Sequence, residues 1–166
     1  MEKEKTLILI KPDGLVRHLI GKIISRFEDA GLKILNIKML QIEDQLANDH
    51  YQKDIEEKYG ARVRNGLIEY IKEGPIIAVA LEGVDAISVT RKIVGSTYPN
   101  ESLPGTIRGD FAHISKDFAN EKEINVRNLI HASSDIKDAT RELALYFSPN
   151  ELHDYKTAHD ILSLKE

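Results

Sequence analysis

The chain of 166 residues contains no cysteine. That single absence excludes disulfides, zinc–thiolate centres, iron–sulfur clusters and cysteine nucleophiles, and it permits a reducing compartment. A basic excess is also missing. Lys plus Arg number 23 against 27 Asp plus Glu, for a formal net charge of −4. This excludes a strongly basic binder of extended nucleic acid, though not a local cationic pocket. Long hydrophobic runs are absent as well. The longest apolar stretch near the start, Leu7-Ile8-Leu9-Ile10, is too short for a signal-peptide core or a membrane span, so a cytoplasmic location is expected. No internal repeat, low-complexity tract or linker interrupts the chain. With 42% apolar and 30% charged residues, residues 1–166 read as one globular domain able to bury roughly two thirds of its unfolded surface.

Several signatures of catalysis are also lacking. There is no Gly-x-Gly-x-x-Gly, no His-Glu-x-x-His and no Gly-x-Ser-x-Gly. Gly14 and Gly21-Lys22 imitate a phosphate loop, but six residues separate the glycines where four are needed. Ile23 then stands in place of the magnesium-binding hydroxyl. His153 and His159, six apart, fall on different faces of a helix and do not form a metal pair.

What is present is a mixed succession of elements. Residues 6–10 read as a buried strand, 76–81, apolar throughout, as the clearest strand, and 33–40 as a third. Lys11-Pro12-Asp13-Gly14 reads as a turn. Helical spacing appears over 20–30, 44–51, 65–72, 84–94 and 134–146. Residues 96–111, with Pro99 and Pro104, read as an ordered functional loop, 111–114 as a short strand and 116–123 as a polar surface insertion. The order predicts an α+β fold, an antiparallel sheet with helices packed on one face.

The groups left for chemistry suit phosphate. Lys11 ends a strand, Arg108 lies between glycines in Gly105-Thr106-Ile107-Arg108-Gly109-Asp110, and Arg91 precedes the loop carrying Thr97. Each alone reads as a solvated charge. The sharper segment is Arg127-Asn128-Leu129-Ile130-His131-Ala132-Ser133-Ser134-Asp135. An isolated histidine is usually structural. Here small neighbours leave room around the ring, and a helix start beyond it could bind an anion. Glu142, eleven residues on, lies about two turns into that helix, where its carboxylate could accept an imidazole N–H. The other ring nitrogen would then be free for nucleophilic catalysis.

Lys11-Pro12-Asp13-Gly14, Gly105-Thr106-Ile107-Arg108-Gly109-Asp110-Phe111 and Asn128-Leu129-Ile130-His131-Ala132-Ser133 together resemble the signature segments of nucleoside diphosphate kinases. The similarity runs from about Thr6 to the region of Asp154-Tyr155-Lys156. The resemblance implies a ferredoxin-like β-α-β-β-α-β antiparallel sheet. It also implies ping-pong transfer of the terminal phosphate of ATP, or another nucleoside triphosphate, to a nucleoside diphosphate through a phosphohistidine on His131. Glu142 would orient the ring, with Ser133 beside it as a third catalytic residue. Lys11, Tyr51, Arg91, Thr97, Arg108 and Asn128 would bind substrate. Mg2+ would arrive with the nucleotide, since no dedicated metal cage is visible. A homo-oligomer is implied, either a hexamer built from dimers or a tetramer, without nucleic acid or membrane.

The sequence departs from the family pattern in places. Ala132 replaces the usual glycine, and Leu103 stands where lysine is common. The base-stacking aromatic falls on Val63, leaving Val63 or the Tyr59 region as the base contact. Residues 114–126 carry an insertion like those of archaeal members. A non-catalytic nucleotide-sensing module is the main rival reading. An RNA-binding domain of the same fold would need aromatics on 33–40 and 76–81, which have none.

Overall fold

A strand made from Leu7-Ile8-Leu9-Ile10 exposes no polar side chain on either face, so it requires apolar cover above and below the sheet. In the structure, a computed structural model that describes residues 3–165, this run lies at the end of β1 (Glu4–Ile10). Two helices, α1 (Pro12–Val16) and α2 (Ile20–Asp29), lead to β2 (Lys33–Leu40). Then come α3 (Asp44–His50), α4 (Lys53–Tyr59), α5 (Ala61–Lys72) and β3 (Ile76–Gly83). The chain continues through α6 (Ala86–Val94), α7 (Ile107–Phe111), α8 (Lys116–Glu121), β4 (Ile130–Ala132) and α9 (Ile136–Tyr146).

The four strands form one antiparallel sheet in the order β2-β3-β1-β4. β1 pairs with β3 from Glu4↔Gly83 to Ile10↔Ile77, and with β4 from Ile8↔Ala132 to Ile10↔Ile130. This is the expected ferredoxin-like α+β fold. Side chains alternate across β1 and divide the core in two. Ile8 and Ile10 join Ile77, Val79 and Leu81 beneath Ile23 and Phe27 of α2 and Val94 of α6. Leu7 and Leu9 join Ile76, Ala78 and Ala80 on the opposite face, under Ala47, Ile71 and Tyr146 from α3, α5 and α9. The expectation of helices on a single face is thus corrected. Strands apolar on both sides need both sides covered. Among the described residues no helix is long and apolar enough to cross a membrane.

Other expectations shift for local reasons. The fourth strand is not 111–114 but Ile130–Ala132, whose apolar Ile130 fills the free edge of β1. Phe111 instead ends α7, a helix fixed by the Thr106 hydroxyl accepting from the Gly109 amide. Residues 12–16 make a helical turn and not a simple reverse turn, because Pro12 at its first position is pre-organised for helical φ. α4 was invisible in the sequence: it has no buried residue and hence no apolar period. α5 begins four residues earlier than spacing suggests. The polar insertion contains α8, whose Ser115 hydroxyl caps the Phe118 amide.

Candidate active site

The last residue before α1 is Lys11, and its backbone amide donates to the Leu129 carbonyl at 2.8 Å. The ends of β1 and β4 are thereby brought together. Leu129 holds a left-handed φ of 69° while fully buried, a strained conformation for a branched residue just before β4. Asp13 fixes it there. One carboxylate oxygen accepts the Leu129 amide at 3.2 Å, and the other accepts the Tyr70 hydroxyl at 2.6 Å. The Tyr70 oxygen in turn accepts the Asn128 amide at 3.2 Å.

This frame sets the Asn128 side chain between two partners. Its oxygen accepts from Lys11 Nζ at 2.9 Å, and its amide nitrogen donates to the Thr97 carbonyl at 2.9 Å. Lys11 is buried, with its ammonium 4.7 Å from the centre of the Tyr70 ring. Desolvation, reinforced by the nearby Arg108 charge, lowers its pKa to about 7. Among the described residues Arg108 donates only to backbone carbonyls: Asn128 at 3.2 Å, Ile130 at 2.6 Å, Gly95 at 3.2 Å and Ser96 at 2.9 Å. One guanidinium thus ties the 95–96 loop to the strand carrying His131, and those carbonyls leave its charge uncancelled. Burial lowers its pKa as well, to about 10.

The histidine lies on β4, opposite Leu9 of β1. Its Nε2 is 2.9 Å from Glu142 Oε2, reaching from α9. The same Oε2 accepts the Ser133 hydroxyl at 2.6 Å, and Arg141 approaches Oε1 at 3.4 Å. Burial acts to raise the Glu142 pKa, but His131 and the hydrogen bonds outweigh it and hold the carboxyl at about 2. Glu142 is therefore anionic at neutral pH. It accepts at Nε2, which places the proton of a neutral His131 ring on Nε2 and the lone pair on Nδ1. Nδ1 has no hydrogen-bond partner among the described residues, and the side chain is 21% exposed.

Lys11, Asn128, Arg108, His131, Ser133 and Glu142 thus lie together at the β1–β4 end of the sheet. Tyr51 is buried beside them, close enough to feel both Glu142 and Arg108; its hydroxyl has no partner among the described residues, and burial raises its pKa. Arg91, exposed on α6, lies within electrostatic reach of Arg108. Thr97 joins through its carbonyl, its side chain facing solvent.

Four residues of the site were not found in the sequence. Asp13 read only as turn chemistry and Tyr70 only as a helix residue. Arg127 pairs with Glu73 and stacks on Tyr70 at 4.5 Å. His50 is fully packed, with its ring 4.5 Å from that of His131 and edge-on to it. Its one sequence signal was adjacency to Tyr51, since a histidine at a helix end usually reads as a surface group.

A sequence model described as nucleoside diphosphate kinase matches residues 4–152. Nucleoside diphosphate kinase of Borreliella burgdorferi is 45% identical over 92% of this chain and 92% of that protein. The enzyme of that name from Pyrococcus horikoshii is 45% identical over 96% of this chain and 94% of its own length. Among solved structures, a transition-state mimic of nucleoside-diphosphate kinase from Borrelia burgdorferi with bound vanadate and ADP superposes with a TM-score of 0.93. It is 43% identical and covers 96% of this chain and 95% of that one. An NDP kinase from Pyrobaculum aerophilum gives a TM-score of 0.85 at 32% identity, covering 92% of this chain and 100% of that one.

Proposed function

The chain belongs to the nucleoside diphosphate kinase family and is an enzyme with that phosphotransferase activity; we propose that it works by a ping-pong mechanism on His131. The observation that carries this reading is the 2.9 Å bond from His131 Nε2 to Glu142, which leaves Nδ1 as the nucleophile beside buried cations.

In the first half-reaction Nδ1 attacks the terminal phosphorus of ATP in line. A P–N bond forms, the bond to the bridging oxygen breaks, and ADP departs with that oxygen. In the second half-reaction a β-phosphate oxygen of another nucleoside diphosphate attacks the phosphohistidine and restores the free ring. Charge on the transferring group is met by Lys11 and Arg108, with Arg91 at the rim and Asn128, Thr97 and Tyr51 positioning phosphate or sugar. Glu142 stabilises the positive charge that grows on the ring, and Ser133 keeps that carboxylate in place.

The residues fit a magnesium ion carried by the phosphates. The nearby carboxylates Glu142 and Asp13 each accept two donors from the protein, so magnesium, which keeps oxygen ligands and waters, would be held mainly by the phosphates. The ion would shield phosphate charge. We place residues 1–166 as one catalytic domain of a cytoplasmic homo-oligomer that balances nucleoside triphosphate pools, a hexamer by resemblance.

Incubation with γ-labelled ATP and magnesium tests the mechanism. The expected product is an acid-labile, alkali-stable phosphoprotein that discharges to added GDP. His131→Ala abolishes labelling while retaining nucleotide binding. Glu142→Ala slows labelling by about 10–100-fold, because orientation is lost but the nucleophile remains. A folded parent that takes no label overturns the reading.

A further inference from the structure

His50 is a buried imidazole for which the described residues provide no hydrogen-bond partner at either ring nitrogen. Native proteins rarely leave a buried polar group without a partner. The ring lies edge-on to those of His131 at 4.5 Å, Tyr51 at 4.7 Å and Tyr146 at 5.7 Å. One ligand-capable atom from each of His50, His131 and Glu142 lies within 4.8 Å of the others. We propose that these three side chains form a binding site for a borderline-soft divalent ion such as Zn2+, and that its occupancy switches the enzyme off.

The donor set selects the metal. Two imidazoles and one carboxylate suit Zn2+ or Co2+, whereas Mg2+ prefers oxygen donors and keeps its waters. Three protein ligands leave a fourth position for water, and of the three side chains only His131 is partly exposed. Tetrahedral bonds of about 2.0–2.1 Å separate ligands by roughly 3.4 Å. The His131–Glu142 pair, 2.9 Å apart, opens by roughly 0.5 Å as the ion replaces the shared proton, and the His50 atom, within 4.8 Å of the others, closes by at most roughly 1.4 Å. Neither His50 ring nitrogen has a hydrogen-bond partner among the described residues, so a lone pair there is available to an ion.

Inhibition follows from the tautomer, and this part rests on the phosphohistidine reading above. In the metal-free site the His131 proton is on Nε2, bonded to Glu142, and the lone pair is on Nδ1. A metal bound at Nε2 requires a lone pair there. The proton moves from Nε2 to Nδ1, the ring stays neutral, and the attacking lone pair is consumed. Phosphorylated His131 carries its phosphate on Nδ1 and must lose the Nε2 proton outright to bind metal, so the phosphoenzyme binds the ion more weakly.

Titration of the tag-free protein with Co2+ tests the site without reference to activity. Visible d–d absorption of tetrahedral intensity is expected, displaced by Zn2+. His50→Gln and His50→Leu weaken Zn2+ binding by at least about tenfold, the lower bound set by losses of outer-shell partners. Thermal melts establish that each variant is folded. In the parent, nitrogen-15 spectra of the imidazoles place the metal on Nε2 of His131. Zinc blocks labelling by γ-labelled ATP, EDTA followed by restored Mg2+ recovers it, and excess Mg2+ alone does not. Each His50 variant, scored against its own zinc-free rate with Mg2+ present, loses this sensitivity. An absent cobalt band, or unchanged zinc affinity in both folded variants, overturns the site. Metal binding without loss of labelling overturns the tautomer switch. Failure to label with Mg2+ present and zinc absent overturns the phosphohistidine mechanism and leaves the cobalt result to decide the site.

Discussion

Burial of the Lys11 ammonium against Asn128 and the Tyr70 ring, close to Arg108, lowers its pKa from 10.5 to about 7. Between those values the unfolded chain holds a proton that the folded protein has released, so stability rises with pH across that window. Below about pH 7 both states are protonated, and the folded state bears the whole cost of the buried charge. Lys11→Met removes this dependence. The stability difference should therefore move in favour of the variant by about 2 kcal/mol when the pH is lowered from 9 to 7, read from urea unfolding at each pH. The same variant loses most labelling by ATP, because the cation near the phosphate is gone. A parent whose stability is flat across this window would contradict the buried, depressed Lys11. At this scale the sequence was informative where type and spacing coincide. Glu142 stands eleven residues after His131, a separation that a strand followed by two helical turns spans. His50 was silent, because its importance lies in an unpartnered ring packed on His131, a relation between residues 81 positions apart.

The insertion before β4 is tied to α5 by one side chain, at element scale. Asn125 donates from Nδ2 to the Gly66 carbonyl at 3.0 Å. A Cβ on Gly66 would lie 2.2 Å from Asn125 Oδ1, the end of a flexible side chain that can turn away. Gly66→Ala thus gains about 1 kcal/mol of helix propensity and forfeits a hydrogen bond of similar worth. The single variant should be near neutral. In an Asn125→Ala background the same change should stabilise by about 1 kcal/mol, so a double-mutant cycle on thermal or urea unfolding should give a coupling of that size. Additivity would remove the proposed link between insertion and helix. Elements with a strong apolar period, such as β1, β2, β3 and α2, were legible in advance. α4 was not, since a helix without a buried face has no period to read. β4 was mistaken for 111–114, because three residues give too short a pattern and the free edge of β1 made the choice.

For the molecule as a whole, the sheet leaves β2 at one edge, opposite the edge formed by β4. Ile37 and Met39 on β2 are 44% and 63% exposed, an apolar strand edge of the kind that pairs with another chain. If the proposed homo-oligomer uses this edge, Ile37→Glu combined with Met39→Lys should reduce the assembly state in sedimentation while each protomer keeps its fold by circular dichroism. A parent that sediments as a monomer would dispose of the oligomer. The amino-acid sequence by itself determined the α+β class, the strands that must be buried, the exclusion of cysteine and thiolate-metal chemistry, and the cationic and histidine groups suited to phosphate. These depend on composition and near-neighbour spacing, which short-range physics reads directly. Tertiary structure decided that both faces of the sheet are covered, which segment completes it, and that Asp13, Tyr70, Arg127 and His50 belong to the site. Those assignments arise where β1, β4, α3, α5 and α9 meet, and the burial, strain and charge coupling found there depend on proximity that no local pattern encodes.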